Sequence, residues 1–165
     1  MHPLAYCLGF GGLTPFFFFA AQHSPNNDAP PWGDRVLARA GPSFASAFAA
    51  CDQGTVRRRF ATYSACILSF LGAVHMGHAL THAPPTMRTR VMLCWSVCPS
   101  LIAWGALNTA PVEGNAGKHY VLLGGGFLVA LAADRLAALP TWYLQMRLPL
   151  TALVVASHAV ATALS

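Results

Sequence analysis

Long apolar runs separated by short polar clusters set the pattern of this chain. Five stretches, 3–21, 60–80, 91–107, 120–133 and 148–164, contain no Asp, Glu, Lys or Arg, so every formal charge lies outside them. A helix needs about 20 apolar residues to cross a hydrocarbon layer of about 30 Å, and about 17 is the practical minimum. Four stretches meet that length directly. The fourth in order meets it when Asp134 and Arg135 lie at the interface and the helix runs on to residue 138. The pattern predicts an all-α integral membrane protein of about five transmembrane helices, over 3–21, 60–80, 91–107, 120–138 and 148–164, in a single membrane domain, 1–165. The runs lack the period-two alternation of membrane β-strands, which argues against a barrel.

The connections refine that picture. One is long: residues 22–59 open with the turn residues Ser24-Pro25-Asn26-Asn27-Asp28 and end in Arg57-Arg58-Arg59 before the second span. Within them, 43–50 is apolar but too short to cross and reads as an interfacial or re-entrant helix, so the long first loop is partly interfacial. Pro99 interrupts the third span. Pro140 ends the fourth, Trp142-Tyr143 forms an aromatic belt, and Pro149 is placed in the first turn of the fifth. Small residues mark two helix faces. Ala61, Ala65, Ser69, Ala73 and Gly77 recur every four residues, and Ala5, Gly9 and Gly12 share a face of the first span. Such faces let membrane helices approach closely, where no hydrophobic force drives them together.

Composition agrees with the pattern: of 165 residues, 55% are hydrophobic and 9% charged, against about 25% charged in a soluble domain. The net charge of +5 would suit nucleic acid only with a basic stripe over a folded surface, and none is seen. Basic residues beside spans are explained by topology and anionic lipid, so Arg57, Arg58 and Arg59 read as a headgroup site, with cardiolipin the obvious anionic phospholipid. The first and third loops carry Arg35, Arg39, Arg57, Arg58, Arg59 and Lys118. The second and fourth carry Arg88, Arg90, Arg135 and Arg147, which places the N-terminus outside and the C-terminus inside. The first Lys or Arg is Arg35, so the first span is expected to stay in the mature protein and act as its own targeting signal. The five cysteines form no C-x-x-C pair and read as small buried side chains.

Few residues offer chemistry. His75, His78 and His82 fall on one helix face and are weak candidates for a metal or haem, without a carboxylate or cysteine nearby in sequence. His158 lies well inside the last span and calls for a backbone or serine partner. Asp134 and Arg147 flank the short turn at Pro140, and an ion pair between them would tie helices four and five together. No nucleophile–base pair, phosphate loop or carboxylate pair is present, so neither an enzyme nor a bound cofactor is expected.

Three strings resemble the transmembrane protein 69 family, an uncharacterised membrane domain of bacteria and mitochondria. They are Tyr63-Ser64-Ala65-Cys66-Ile67-Leu68-Ser69-Phe70-Leu71-Gly72-Ala73-Val74-His75-Met76-Gly77, Ser96-Val97-Cys98-Pro99-Ser100-Leu101-Ile102-Ala103-Trp104 and Trp142-Tyr143-Leu144-Gln145-Met146-Arg147-Leu148-Pro149-Leu150-Thr151. Gly11-Gly12-Leu13-Thr14-Pro15-Phe16 is similar to its first helix more loosely. Ser64, Ala73 and Met76 depart from the family pattern, at positions where Gly, Gly and Trp are favoured. The resemblance implies five spans and, in eukaryotes, a mitochondrial inner-membrane home. With the packing faces, this leads to an expected role as an accessory subunit of a respiratory-chain or ATP synthase complex, partnered by other membrane subunits and not by nucleic acid. The alternatives are a small transporter or channel, and a metal- or haem-binding membrane protein.

Overall fold

A computed structural model describes residues 10–16, 53–81, 86–109 and 117–163, and these contain helices and turns but no strand. After the N-terminal segment 10–16 come α1 (Gln53–Leu80), α2 (Met87–Trp95), α3 (Cys98–Asn108), α4 (Lys118–Leu136) and α5 (Thr141–Ala163). Four helical stretches are long and apolar enough to cross a membrane: Gly54–Leu80, Met87–Asn108, Lys118–Leu136 and Thr141–Ala163. The protein is an all-helical, multi-pass membrane protein. Of the expected first span, only 10–16 falls among the described residues, and the expected interfacial helix at 43–50 lies outside them.

The helices run past the uncharged stretches that announced them. α1 starts at Gln53, so Arg57-Arg58-Arg59 belong to its opening turns rather than to the loop. Its 28 residues reach about 42 Å, more than the hydrocarbon thickness, which leaves the arginine end at headgroup depth. α5 starts at Thr141, well before the expected 148, and α4 covers 118–136 instead of 120–138. Pro149 consequently sits inside α5, not in its first turn. The reason is general: backbone hydrogen bonding and end caps terminate a helix, and the bilayer only decides which part is apolar.

The third span is two helices. α2 opens with a capping box between Thr86 and Thr89 and stops at Ser96-Val97; α3 then starts with Pro99 in its first turn. Pro99 cannot donate a backbone hydrogen bond, so the ladder breaks there. Gly72 of α1 lies against that break. A Cβ on Gly72 would come within 2.0 Å of the Ser96 carbonyl oxygen, so only glycine allows the approach. Gly126 of α4 faces Leu68 and Ile102 in the same manner, with 2.6 Å to Leu68 Cδ2.

α4 packs along α5, and α1 along α3, with further contacts of α4 to α1 and α3. The core between them holds Phe60, Leu68, Leu123, Phe127 and Val154, and Phe16 of the N-terminal segment inserts among them. Outside, Phe70, Val91, Leu101, Trp104, Leu128 and Val160 are exposed, as a lipid-facing surface requires. Successive spans alternate in direction, α2 and α3 together making one span. Leu80, Met87, Leu136 and Thr141 therefore share one end of the bundle, and Gln53, Asn108, Lys118 and Ala163 the other.

Candidate functional site

At the Leu136–Thr141 end, the bundle buries an acid among two basic side chains. Asp134, in the last turn of α4, has no exposed surface, and Arg147 of α5 is 5% exposed. Arg147 Nε donates to Asp134 Oδ2 at 2.8 Å. His75 of α1, also buried, places Nε2 3.3 Å from Oδ1 of the same carboxylate and Nδ1 3.3 Å from the Leu71 carbonyl. The two contacts use opposite nitrogens of the ring. One carboxylate thus binds α5 through Arg147 and lies against α1 at His75, where Nε2 and Oδ1 face each other without a hydrogen bond. The turn between α4 and α5 supports it: Ala138 adopts a left-handed φ of 46°, and the Tyr143 amide donates to the Pro140 carbonyl. Arg88, at the start of α2, donates to the Ala137 carbonyl and so satisfies an end group of α4.

An apolar cavity of about 190 Å³ adjoins this cluster, bounded by Ile67, Leu71 and Val74 of α1, by Tyr143, Arg147 and Leu150 of α5, and by Phe16. Among the described residues, neither Arg147 Nη2 nor the Tyr143 hydroxyl has a hydrogen-bond partner, although both are shielded from solvent.

At the opposite end, His158 is buried in an aromatic box. Its Nδ1 bonds the Val154 carbonyl at 2.8 Å, one turn back on the same helix. Its ring centroid lies 4.9 Å from Phe60, 5.8 Å from Phe127, 6.0 Å from Phe16 and 6.3 Å from Tyr120. Gly124 leaves just enough room, since a Cβ there would sit 3.4 Å from His158 Cβ.

The residues singled out from sequence fall in different places. Asp134 and Arg147 meet, with His75 added from a helix far upstream. His78 does not join them: it lines a separate pocket with Thr86, Arg88 and Met92. Among the described residues, no group of three His, Cys, Asp or Glu could hold a metal ion; His82 lies outside them. Of the α1 stripe, Ala61 and Ala65 are buried, Ser69 is half-buried, and Ala73 and Gly77 are exposed. Residues four apart advance about 40° around a helix of 3.6 residues per turn. Five such positions therefore wind from the core to the outside and do not form one face. The Gly12 carbonyl accepts a hydrogen bond from the Tyr63 hydroxyl at 2.7 Å, whereas Ala5 and Gly9 lie outside the described residues. Arg57 is half-buried, and Arg58 and Arg59 are exposed at the start of α1. Cys66 and Cys94 are exposed on the bundle surface, contrary to the buried role expected for them. Not foreseen from sequence are the placement of His75 against Asp134, the Arg88 bond to the Ala137 carbonyl, and Tyr143 in the cavity wall.

These features define a polytopic helical membrane protein with a buried charge cluster at one end of its bundle. The chain belongs to the family described as Protein of unknown function (DUF3429), whose model matches residues 1–163. It is 39% identical over 98 residues to Transmembrane protein 69 of Xenopus tropicalis, a match covering 58% of this chain and 37% of the frog protein. The family resemblance carried by the sequence motifs is therefore correct. No solved structure matches the chain.

Proposed function

We propose that this protein is an accessory subunit of a larger complex of the mitochondrial inner membrane, of the respiratory-chain or ATP synthase kind, and that it contributes packing and lipid contacts rather than catalysis. The observation that carries the reading is the internal use of its buried charges. Asp134 and Arg147 face each other inside the bundle and lock α4 to α5. A carrier or channel uses such groups along a path. Here Leu68, Leu123, Phe127 and Val154 separate the Asp134 cluster from His158. The outward half of the α1 stripe supports docking: Ala73 and Gly77 are exposed, and none of the described residues approaches the Gly77 Cβ position within 4 Å. Arg58 and Arg59 supply a basic rim for anionic headgroups such as cardiolipin, each charge contributing about 1 kcal/mol near an anionic surface. The mitochondrial setting rests on what the family resemblance implies for eukaryotic members. Organelle fractionation followed by native electrophoresis in mild detergent tests both parts. Comigration with a large inner-membrane complex is expected; a monomer in another membrane would refute the proposal.

A further inference from the structure

A second pocket, of about 290 Å³, opens between the last turns of α1 and the first turns of α2, at the end of the bundle shared by Leu80 and Met87. His78 and Ala79 form one wall, Thr86, Arg88 and Thr89 the other, and Met92 lies deepest along α2. Its polar groups are within reach of a ligand: Thr86 and Arg88 are exposed, and His78 is half-buried. Arg88 donates through Nη2 to the Ala137 carbonyl at the end of α4. That bond fixes where the guanidinium stands and uses one of its five N–H donors, so most of the planar fork is left to an outside acceptor. The hydroxyls of Thr86 and Thr89 lie 3.0 Å apart and share one hydrogen bond. Of their two hydrogens, one is therefore left for another acceptor.

Charge selects the ligand. Arg88, Arg90 and Arg135 are all exposed at this end. Asp134, the one acid among the described residues, has no exposed surface and is bonded to Arg147. No carboxylate lines the pocket. Topology does not call for arginine here, since the loop count places this end outside. Leu80 and Met87, 71% and 75% exposed, need hydrocarbon around them, so the pocket lies where the acyl chains meet the headgroups. We propose that this pocket binds one phosphate group, with two of its oxygens on Arg88 and a third on a threonine hydroxyl. Arginine's fork suits such a group, whether it is the headgroup of an anionic phospholipid or a free phosphate ion. The site lies at the opposite end from Arg58 and Arg59, and it stands independently of the subunit reading.

The test uses the full chain in a neutral detergent, with native mass spectrometry counting what stays bound. The probes are dioleoyl phosphatidylglycerol, dioleoylglycerol, which has the same chains without phosphate, and inorganic phosphate alone. One equivalent of phosphatidylglycerol should stay bound to wild type and to Arg58→Gln with Arg59→Gln. Arg88→Gln should weaken that equivalent about 10- to 100-fold, the range of hydrogen bonds to a charged group. Ala79→Leu, which fills the pocket and leaves every donor in place, should abolish it even if Arg88→Gln fails to fold. Arg90→Gln removes the same charge from the same end outside the pocket, and should weaken binding no more than about 2-fold, as a screened surface charge does. Retention against an equal concentration of inorganic phosphate upholds the site with a lipid as the source; displacement upholds it with the free ion. Equal retention of dioleoylglycerol would overturn the proposal. So would an Arg90→Gln loss as large as that of Arg88→Gln, or undiminished binding in Ala79→Leu.

Discussion

At the scale of single residues, stability concentrates at a few side chains that cannot be exchanged singly. Asp134 has no exposed surface and meets both Arg147 and His75. Removing one partner of a buried ion pair leaves an uncompensated charge and costs about 3–5 kcal/mol, whereas replacing both with apolar groups can be nearly neutral. Asp134→Ala should therefore destabilise strongly, and Asp134→Ala with Arg147→Met should recover much of the loss. Thermal denaturation of all variants in one detergent measures it, and strictly additive effects would deny the coupling. Gly72 offers a second, purely steric test. Gly72→Ala brings a methyl against the Ser96 carbonyl and should lower the melting temperature, with a cost of about 1–3 kcal/mol for overpacking. Gly77→Ala, made where none of the described residues lies within 4 Å, should leave stability unchanged.

At the scale of helices, the order and number of the four described spans are readable from apolar runs, because the bilayer imposes a length that no soluble core demands. Their ends are not readable in that way. The arginines of α1 and the aromatic belt of α5 continue their helices into the interface, where polar residues are tolerated and the backbone ladder has no reason to stop. Two residues flanking a short turn make Asp134 and Arg147 natural neighbours, but His75 comes from another helix, and no spacing rule reveals it. Nor does spacing alone reveal which way the small-residue stripe faces, since its period of four precesses around α1. This rotation makes a prediction within a single stripe. Ala65→Leu, at a buried position, should disturb the fold and lead to degradation. Ala73→Leu, at an exposed one, should preserve insertion and folding and release the protein from any complex it joins. The fractions of each variant that are degraded, free and comigrating separate the two outcomes. Full comigration of Ala73→Leu would remove α1 as the docking face.

At the scale of the whole molecule, the bundle sorts its basic residues by end, and that sorting bears on orientation. Arg57, Arg58, Arg59 and Lys118 belong to the end shared by the start of α1 and the start of α4. Arg88, Arg90, Arg135 and Arg147 belong to the other. Arg147, however, is 5% exposed and held against Asp134, and Arg88 is bonded to the Ala137 carbonyl. Both are committed to the bundle and have less to offer an anionic surface than an arginine in water. Arg57 and Arg59 also make contacts of their own, so orientation rests on the loop count, six against four, which leans towards the Arg57–Lys118 end. That end is expected to face inwards, to the matrix in a mitochondrion, with the turn between α4 and α5 facing outwards. Single cysteines in an otherwise cysteine-free chain make this measurable, at Lys118 and at Leu136, both exposed and at opposite ends of α4. In sealed membranes of known sidedness, a membrane-impermeant maleimide should reach Leu136→Cys from outside and Lys118→Cys only after permeabilisation. Replacing Arg57, Arg58 and Arg59 together by alanine should weaken the bias and yield a mixed population. Labelling of both positions from one side would contradict α4 as a spanning helix. The reverse pattern would overturn the orientation.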